Sequence, residues 1–181
     1  MKLLLHICCG PCAVYPVNVL REEGIYFEGL FYNPNIHPYD EFIRRKENVK
    51  KLSEIKNVPV KYMDDFSQEI WEKLGEDNEK RCNMCYALRI DKVAGYAKEN
   101  GFDAFTTTLL VSPYQKHELI VELSKRAGEK YGIEFFYKDF RPGFRQGQQE
   151  AKELGLYRQK YCGCIISYRE AEKLKSERKS K

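Results

Sequence analysis

All seven cysteines of this 181-residue chain fall in three short clusters: Cys8-Cys9-Gly10-Pro11-Cys12, Cys82-Asn83-Met84-Cys85 and Cys162-Gly163-Cys164. Chance rarely confines every cysteine of a globular domain to three loops, so the fold has to make sense of them together. Seven in 181 is too sparse for a secreted disulfide scaffold, where cysteine exceeds ~8%. The opening Met1-Lys2-Leu3-Leu4-Leu5-His6 has too short an apolar stretch for an export signal and runs into a Cys-Gly-Pro loop. A reducing, cytoplasmic setting is therefore the default, and there clustered cysteines signal metal or redox chemistry. No apolar run approaches the ~20 residues of a membrane helix, so no membrane partner is expected. The net charge of +4 is small, and six cations between residues 167 and 181 read as a solvated helix rather than a strong nucleic-acid handle.

Between the clusters, strand and helix patterns alternate. Residues 2–8 are a short apolar run ending in a Gly-Pro turn, which reads as a buried strand. Further strands are expected at 26–32, 59–63, 104–111 and 134–140. Helices are expected at 14–23, 40–56, 67–74, 83–99, 113–130 and 148–154, with a last one from about 167. Residues 75–80 read as a polar, mobile link. Five alternations predict an α/β fold: a Rossmann-like, five-stranded parallel sheet with helices on both faces. Residues 1–140 would form the α/β body with the first two cysteine clusters. Residues 141–181 would be a small helical segment whose Cys162 and Cys164 complete the same site, within a single domain. Ligands of such sheets sit beyond the carboxyl ends of the strands at the topological switch point. The first cluster lies at such an end.

Three chemistries suit the cysteines. Cys9-Gly10-Pro11-Cys12 after a strand matches the tetrapeptide of a thioredoxin-like disulfide oxidoreductase, with a helix N-terminus lowering a thiol pKa. That reading needs neither Cys8 nor the other four cysteines. A zinc-stabilised nucleic-acid-binding domain would use Cys82, Cys85, Cys162 and Cys164 as a tetrahedral thiolate set and leave the first cluster unexplained. An iron–sulfur cluster needs four thiolates. The close-spaced runs of ferredoxins are absent, and a cluster assembled from separate loops suits an enzyme site better than a simple electron carrier. Three cysteines then remain for a second metal or a redox pair.

Six segments, in order, resemble the QueH family of epoxyqueuosine reductases: 4–12 (LLHICCGPC), 31–36 (FYNPNI), 81–89 (RCNMCYALR), 107–114 (TTLLVSPY), 139–141 (DFR) and 161–164 (YCGC). They span almost the whole chain and include all seven cysteines. The resemblance implies an adenine nucleotide alpha-hydrolase-like α/β domain. It also implies a cobalamin-independent iron–sulfur enzyme that removes the epoxide oxygen of epoxyqueuosine at the tRNA wobble position, giving queuosine.

That reaction consumes two electrons and two protons, so an external donor such as a ferredoxin or flavodoxin is expected. Cys8, Cys9, Cys82 and Cys85 are the expected ligands of a 4Fe–4S cluster. Adjacent Cys8 and Cys9 would point to opposite faces of a regular strand, so the chain must turn there for both to bind, and Gly10-Pro11 supplies the turn. Cys162 and Cys164 then form a labile disulfide or, with Cys12, hold a second mononuclear iron or other metal; the reverse partition stays open. Asp139 and Tyr114 are candidate proton donors, weighed beside His37 and Asp40, and Asp139 is also a hard ligand for a second iron. His6, within a buried strand, reads as a core histidine. Phe140, Arg141, Arg145, Lys160 and Tyr161 are candidate tRNA contacts, because aromatic rings and arginine planes stack on extruded bases.

Overall fold

The computed structural model describes residues 1–180, so Lys181, the last cation of the basic tail, lies outside the described residues. Five strands, β1 (Lys2–His6), β2 (Tyr26–Tyr32), β3 (Val60–Met63), β4 (Ala104–Thr107) and β5 (Glu134–Phe135), form one sheet in the order β3-β2-β1-β4-β5. Every pairing is parallel. The chain leaves β1 for β2 on one side and later returns to place β4 on the other. The switch point therefore lies between the carboxyl ends of β1 and β4, where the first cysteine cluster begins.

Seven helices connect and flank these strands: α1 (Gly10–Glu22), α2 (Tyr39–Lys56), α3 (Glu69–Leu74), α4 (Asn78–Glu99), α5 (His117–Tyr131), α6 (Phe144–Glu153) and α7 (Ile165–Lys179). Alternation along β1 divides the core, as the strand period requires. Leu3, Leu5 and Ile7 pack with Val14, Val17 and Leu20 of α1 and with Phe42, Val49 and Leu52 of α2. Leu4 lies in the opposite layer with Ile90, Val93 and Ala94 of α4 and Ile120 of α5. The helices thus cover both faces, as expected. A third, smaller cluster of Trp71, Cys164, Ile165 and Ile166, with Met84, Cys85 and Leu88 against it, seats the first turn of α7 on α3 and α4.

α5 starts at His117 rather than 113 and α6 at Phe144 rather than 148, and four further boundaries differ from the sequence expectation for local reasons. The fourth strand stops at Thr107, whose hydroxyl accepts from Leu109 N at 3.2 Å and turns residues Thr108–Val111 into a 3-10 helix. The fifth strand is two residues long; its last ladder bond is Phe136 N to Phe105 O, 2.9 Å, and residues 137–139 run free of the sheet. α4 begins at Asn78, not at the second cysteine cluster. Asp77 caps it by accepting from Lys80 N at 3.1 Å, and Arg81 ties its first turn to Gly75 O and Asn78. Cys82 and Cys85 consequently sit inside the helix, one turn apart. α1 begins at Gly10, with the Cys9 sulfur accepting from Cys12 N at 3.4 Å as its N-cap.

The segment after the sheet folds back over the switch point. α6 lies against α1, where a Cβ at Gly143 would stand 2.1 Å from the Tyr15 ring, so only glycine permits this approach. Residues 157–165 are strapped to α2 and to the 33–38 loop. Asn48 and Tyr157 exchange two hydrogen bonds of 2.8 Å. Arg45, itself paired with Glu41 at 2.9 Å, donates to Cys162 O at 2.9 Å and Tyr161 O at 3.0 Å. The backbone N of His37 donates to Gly163 O at 2.8 Å.

Candidate active site

These constraints bring all three cysteine clusters to one place. The Cys8, Cys9 and Cys12 sulfurs lie within 4.8 Å of one another. Thr108, just past β4, accepts from Cys8 N at 3.0 Å and donates to Cys8 Sγ at 3.1 Å, joining the two strands at the switch point. The Cys12 and Cys9 thiols and the Thr108 hydroxyl all donate toward Cys8, which holds its pKa well below the usual thiol range. Its partners move the other way. Cys12 is raised because donating to Cys8 and Cys9 favours its protonated form. Cys9 receives a hydrogen bond from Cys12, yet its own donation to Cys8 and its burial push it up to about 12. Within the triad the hydrogen bonds thus favour negative charge on Cys8 over Cys9 or Cys12.

A cavity of about 520 Å³ opens on this triad. Cys8 and Cys12 line it together with Cys82 from α4 and Cys162 from the strap. Tyr86, Arg89 and Gln115 form part of its wall, and Tyr114, Lys116, Arg158 and Tyr161 also line it. Cys85 and Cys164 stand just behind, in the Trp71 cluster. Burial raises the Cys85 thiol, and the Arg89 guanidinium, 3.4 Å from its sulfur, opposes that shift. All seven cysteines are free, so the Cys162–Cys164 disulfide considered from the sequence is not formed.

The remaining sequence-based candidates sit in different surroundings. The sulfurs gathered within 4.8 Å are those of Cys8, Cys9 and Cys12, not of Cys8 and Cys9 with Cys82 and Cys85. Asp139 is clamped by Arg141, whose Nε and Nη2 donate at 2.8 and 2.7 Å. This ion pair holds the Asp139 carboxyl at about 2, well below the usual carboxylate range. Neither Asp139 nor Arg141 lines the cavity. Phe140 is fully buried in the core and offers no stacking face. Arg145 borders a shallow hollow beside the mouth, with Tyr114, Phe144 and Arg158. Lys160 faces Lys175, Arg178 and Lys179 of α7. Tyr161 lines the cavity, but its hydroxyl donates to His37 O and its ring lies 5.1 Å from the Arg45 guanidinium. Tyr114 stands at the mouth, 86% exposed.

The two buried histidines are structural. His6 accepts from Thr107 Oγ1 and donates to Tyr32 O, 2.9 and 3.0 Å, and burial lowers it to about 4. His37 Nδ1 accepts from Ile165 N at 3.0 Å, so its proton resides on Nε2, directed at Pro34 O. Burial lowers the His37 pKa. The unfolded chain therefore takes up this proton first as pH falls through the ordinary ~6.5, and the stability that neutral His37 contributes is present above that pH and lost below it. In urea unfolding of the metal-free protein, the wild type should lose more stability between pH 7.5 and 5.5 than His37→Asn, whose amide oxygen replaces the Nδ1 acceptor. Equal losses would remove His37 from the pH response.

Sequence reasoning missed Arg89, Arg45 and the Tyr86–Gln115 pair. Arg89 was legible: it follows Cys85 by four residues, one helical turn, and so shares its face. Arg45 and Gln115 carry no such local signal, because their partners are 117 and 47 residues away.

An all-parallel Rossmann-like domain with thiols from three parts of the chain around its switch-point cavity defines a cysteine-centred site. Residues 3–170 match the family model described as "Epoxyqueuosine reductase QueH". Relatives bearing that name include one from Thermotoga maritima, 36% identical over 97% of this chain and 94% of its own length. Another, from Dehalococcoides mccartyi, is 34% identical over 92% of each, and one from Histophilus somni is 38% identical over 95% of this chain and 74% of its own. The chain belongs to the QueH family of epoxyqueuosine reductases, oxidoreductases of queuosine biosynthesis. Among solved structures, the U34-tRNA thiolase NcsA from Methanococcus maripaludis with its [4Fe-4S] cluster aligns with a TM-score of 0.59 at 14% identity, covering 98% of this chain and 66% of that one. A predicted subunit of tRNA methyltransferase from Methanocaldococcus jannaschii aligns at 0.54 and 12%, covering 84% and 76%. Both share the fold.

Proposed function

We propose that this protein is an iron–sulfur enzyme of the cytoplasm that reduces epoxyqueuosine at the wobble position of tRNA to queuosine. The observation that carries this reading is the convergence of the cysteine clusters on one cavity in a chain of this family. The donor set fits a soft metal: every group that can converge there is a sulfur, and the described residues bring no histidine or carboxylate into the triad. The buried cation Arg89 beside them suits an anionic thiolate centre.

In this reading the seven thiols divide into three and four. Cys8, Cys9 and Cys12, whose sulfurs lie within 4.8 Å of one another, would hold a mononuclear metal. Cys82, Cys85, Cys162 and Cys164 would supply the four thiolates of a 4Fe–4S cluster. When bound, the cluster supplies single electrons from an external donor of the ferredoxin or flavodoxin class, and the lone metal supplies Lewis acidity.

The overall change is epoxide plus two electrons and two protons to alkene plus water. The protein's own groups hold the sugar-like ring and deliver protons. Asp139 is engaged by Arg141, both ring nitrogens of His37 are taken up by backbone groups, and Asp40 stands exposed on α2 away from the cavity, so in this reading Tyr114 at the mouth is the candidate acid. The Tyr86 phenol, raised above its ordinary pKa chiefly by burial, keeps its proton and donates it to Gln115. The thioredoxin alternative has less support, since Cys9 and Cys12 are both buried and it leaves the other five cysteines of the site unused.

The test is anaerobic incubation of the iron-loaded protein with dithionite and tRNA carrying epoxyqueuosine, followed by mass spectrometry of released nucleosides. Conversion to queuosine is expected. An iron-replete protein that leaves the epoxide intact would overturn the assignment.

For tRNA the rim offers Lys116, Arg158 and Tyr114, with Lys160 and Arg145 a step outside. Phosphate contacts position an RNA and stacking holds an extruded base. Arg158→Ala and Lys160→Ala should each weaken binding of modified and unmodified tRNA alike and lower the salt slope by about 1. Titrations at several salt concentrations check this. Unchanged slopes in both would move the RNA face away from the strap.

A further inference from the structure

Three arginines of this protein are buried, and they are satisfied in different ways. Arg45 has a carboxylate, Glu41, at 2.9 Å. Arg81 donates to a carbonyl and to Asn78 near the surface of α4. Arg89 is 3% exposed and no carboxylate pairs with it. Its Nε donates to Cys85 O at 3.1 Å and its Nη2 to Cys85 Sγ at 3.4 Å. Its guanidinium lies 5.7 Å from the Tyr86 ring and lines the cavity. The groups that act on its charge are Cys85, Cys8 and Cys162, one from each cysteine cluster, and Tyr86.

A guanidinium stays charged in any protein environment, and an isolated buried charge is strongly unfavourable unless an opposite charge faces it. Among the described residues, the groups facing it that can supply that charge are three sulfurs and the Tyr86 phenol. The relation also runs the other way. A metal centre held by four thiolates is anionic, and adding an electron makes it more so. A fixed cation in a low-dielectric pocket stabilises the more negative state.

We propose that Arg89 is the positioning residue and fixed counter-charge of the cysteine centre: it orients Cys85 and raises the reduction potential of the cluster bound beside it. This inference rests on the iron–sulfur reading above. Arg89 touches no reacting atom; it acts through Cys85 and through its charge. The helix sets this geometry, because residues 85 and 89 are one turn apart on α4 and share a side of it.

The experiment compares wild type, Arg89→Lys and Arg89→Gln after anaerobic reconstitution. Iron and labile sulfide are counted first, and the midpoint potential is then read by a redox titration followed by EPR. Arg89→Gln should shift the midpoint to more negative values, by at least a tenfold change in the reduced-to-oxidised ratio at fixed potential, ~59 mV for a one-electron centre. Arg89→Lys should stay near wild type. A fully loaded Arg89→Gln protein with the wild-type midpoint overturns the proposal. If Arg89→Gln fails to load, loading of Arg89→Lys supports the charge role, and failure of both in proteins that remain folded by circular dichroism assigns Arg89 to shape and overturns it. A wild-type protein that takes up neither iron nor sulfide sinks the iron–sulfur reading instead. Arg89 is then judged by zinc binding, where Arg89→Gln should weaken affinity about 10-fold or more relative to Arg89→Lys, and equal affinities reject its role.

Discussion

Cys82→Ala should yield a protein without labile sulfide and with turnover reduced more than 100-fold, while Cys12→Ser keeps its sulfide and loses about one metal ion per chain. The asymmetry follows from position. Cys82 lines the cavity from α4, and in the proposed reading it is a cluster ligand together with Cys85, Cys162 and Cys164. Cys12 shares its 4.8 Å triad with Cys8 and Cys9. Outer-shell changes around metal sites already cost 10–100-fold, so loss of a ligand should exceed that range. Iron and acid-labile sulfide determinations, with the visible spectrum, decide the matter. If Cys12→Ser also strips the sulfide, the first cysteine loop carries the cluster, and the division into three and four is wrong.

Arg45→Ala should lower the unfolding temperature by about 6–20 °C and disorder the strap. Arg45 is 2% exposed and Glu41 is 5% exposed, so removing the cation leaves a buried carboxylate with only Tyr157 and exposed Arg44 for company. Breaking such a buried pair from one side costs about 3–5 kcal/mol, and each kcal/mol moves the midpoint by about 2–4 °C for a chain of this size. The same change frees the carbonyls of Tyr161 and Cys162. Protease cleavage between residues 157 and 163 should therefore accelerate, and the Cys162 thiol should alkylate faster in the metal-free protein. Scanning calorimetry and mass-mapped proteolysis test both parts. A variant with wild-type stability and an uncut strap would show that Asn48 and His37 suffice to hold the segment.

Much of this architecture was legible because it is local. The apolar run before Cys8, the five alternations and the Gly-Pro turn specify a parallel sheet with its cysteine loop at a strand end. The short fifth strand was not, because residues 136–140 keep an apolar-aromatic character while leaving the sheet for other work: Phe140 enters the core and Asp139 meets Arg141. The start of α4 was hidden by a polar first turn whose capping partner, Asp77, lies in a stretch that reads as linker. The site was visible as three cysteine clusters, but its partition was not. Sequence spacing says which thiols are near in the chain, whereas the triad and its neighbours are sorted by how β1, β4 and the strap meet. The tRNA-contact residues fared unevenly for the same reason. Arg141 has the composition of a nucleic-acid contact and the geometry of an internal ion pair.

The folding back of residues 157–165 has a consequence for biogenesis. The sheet closes with β5, so residues up to 140 already hold five of the seven sulfurs in a half-walled trough. Cys162 and Cys164 reach it when Arg45, Asn48 and His37 capture the strap, which is made later in synthesis than the sheet. Domains form as units while the ribosome is still working, so the thiol-bearing scaffold can assemble before the segment that completes its lining.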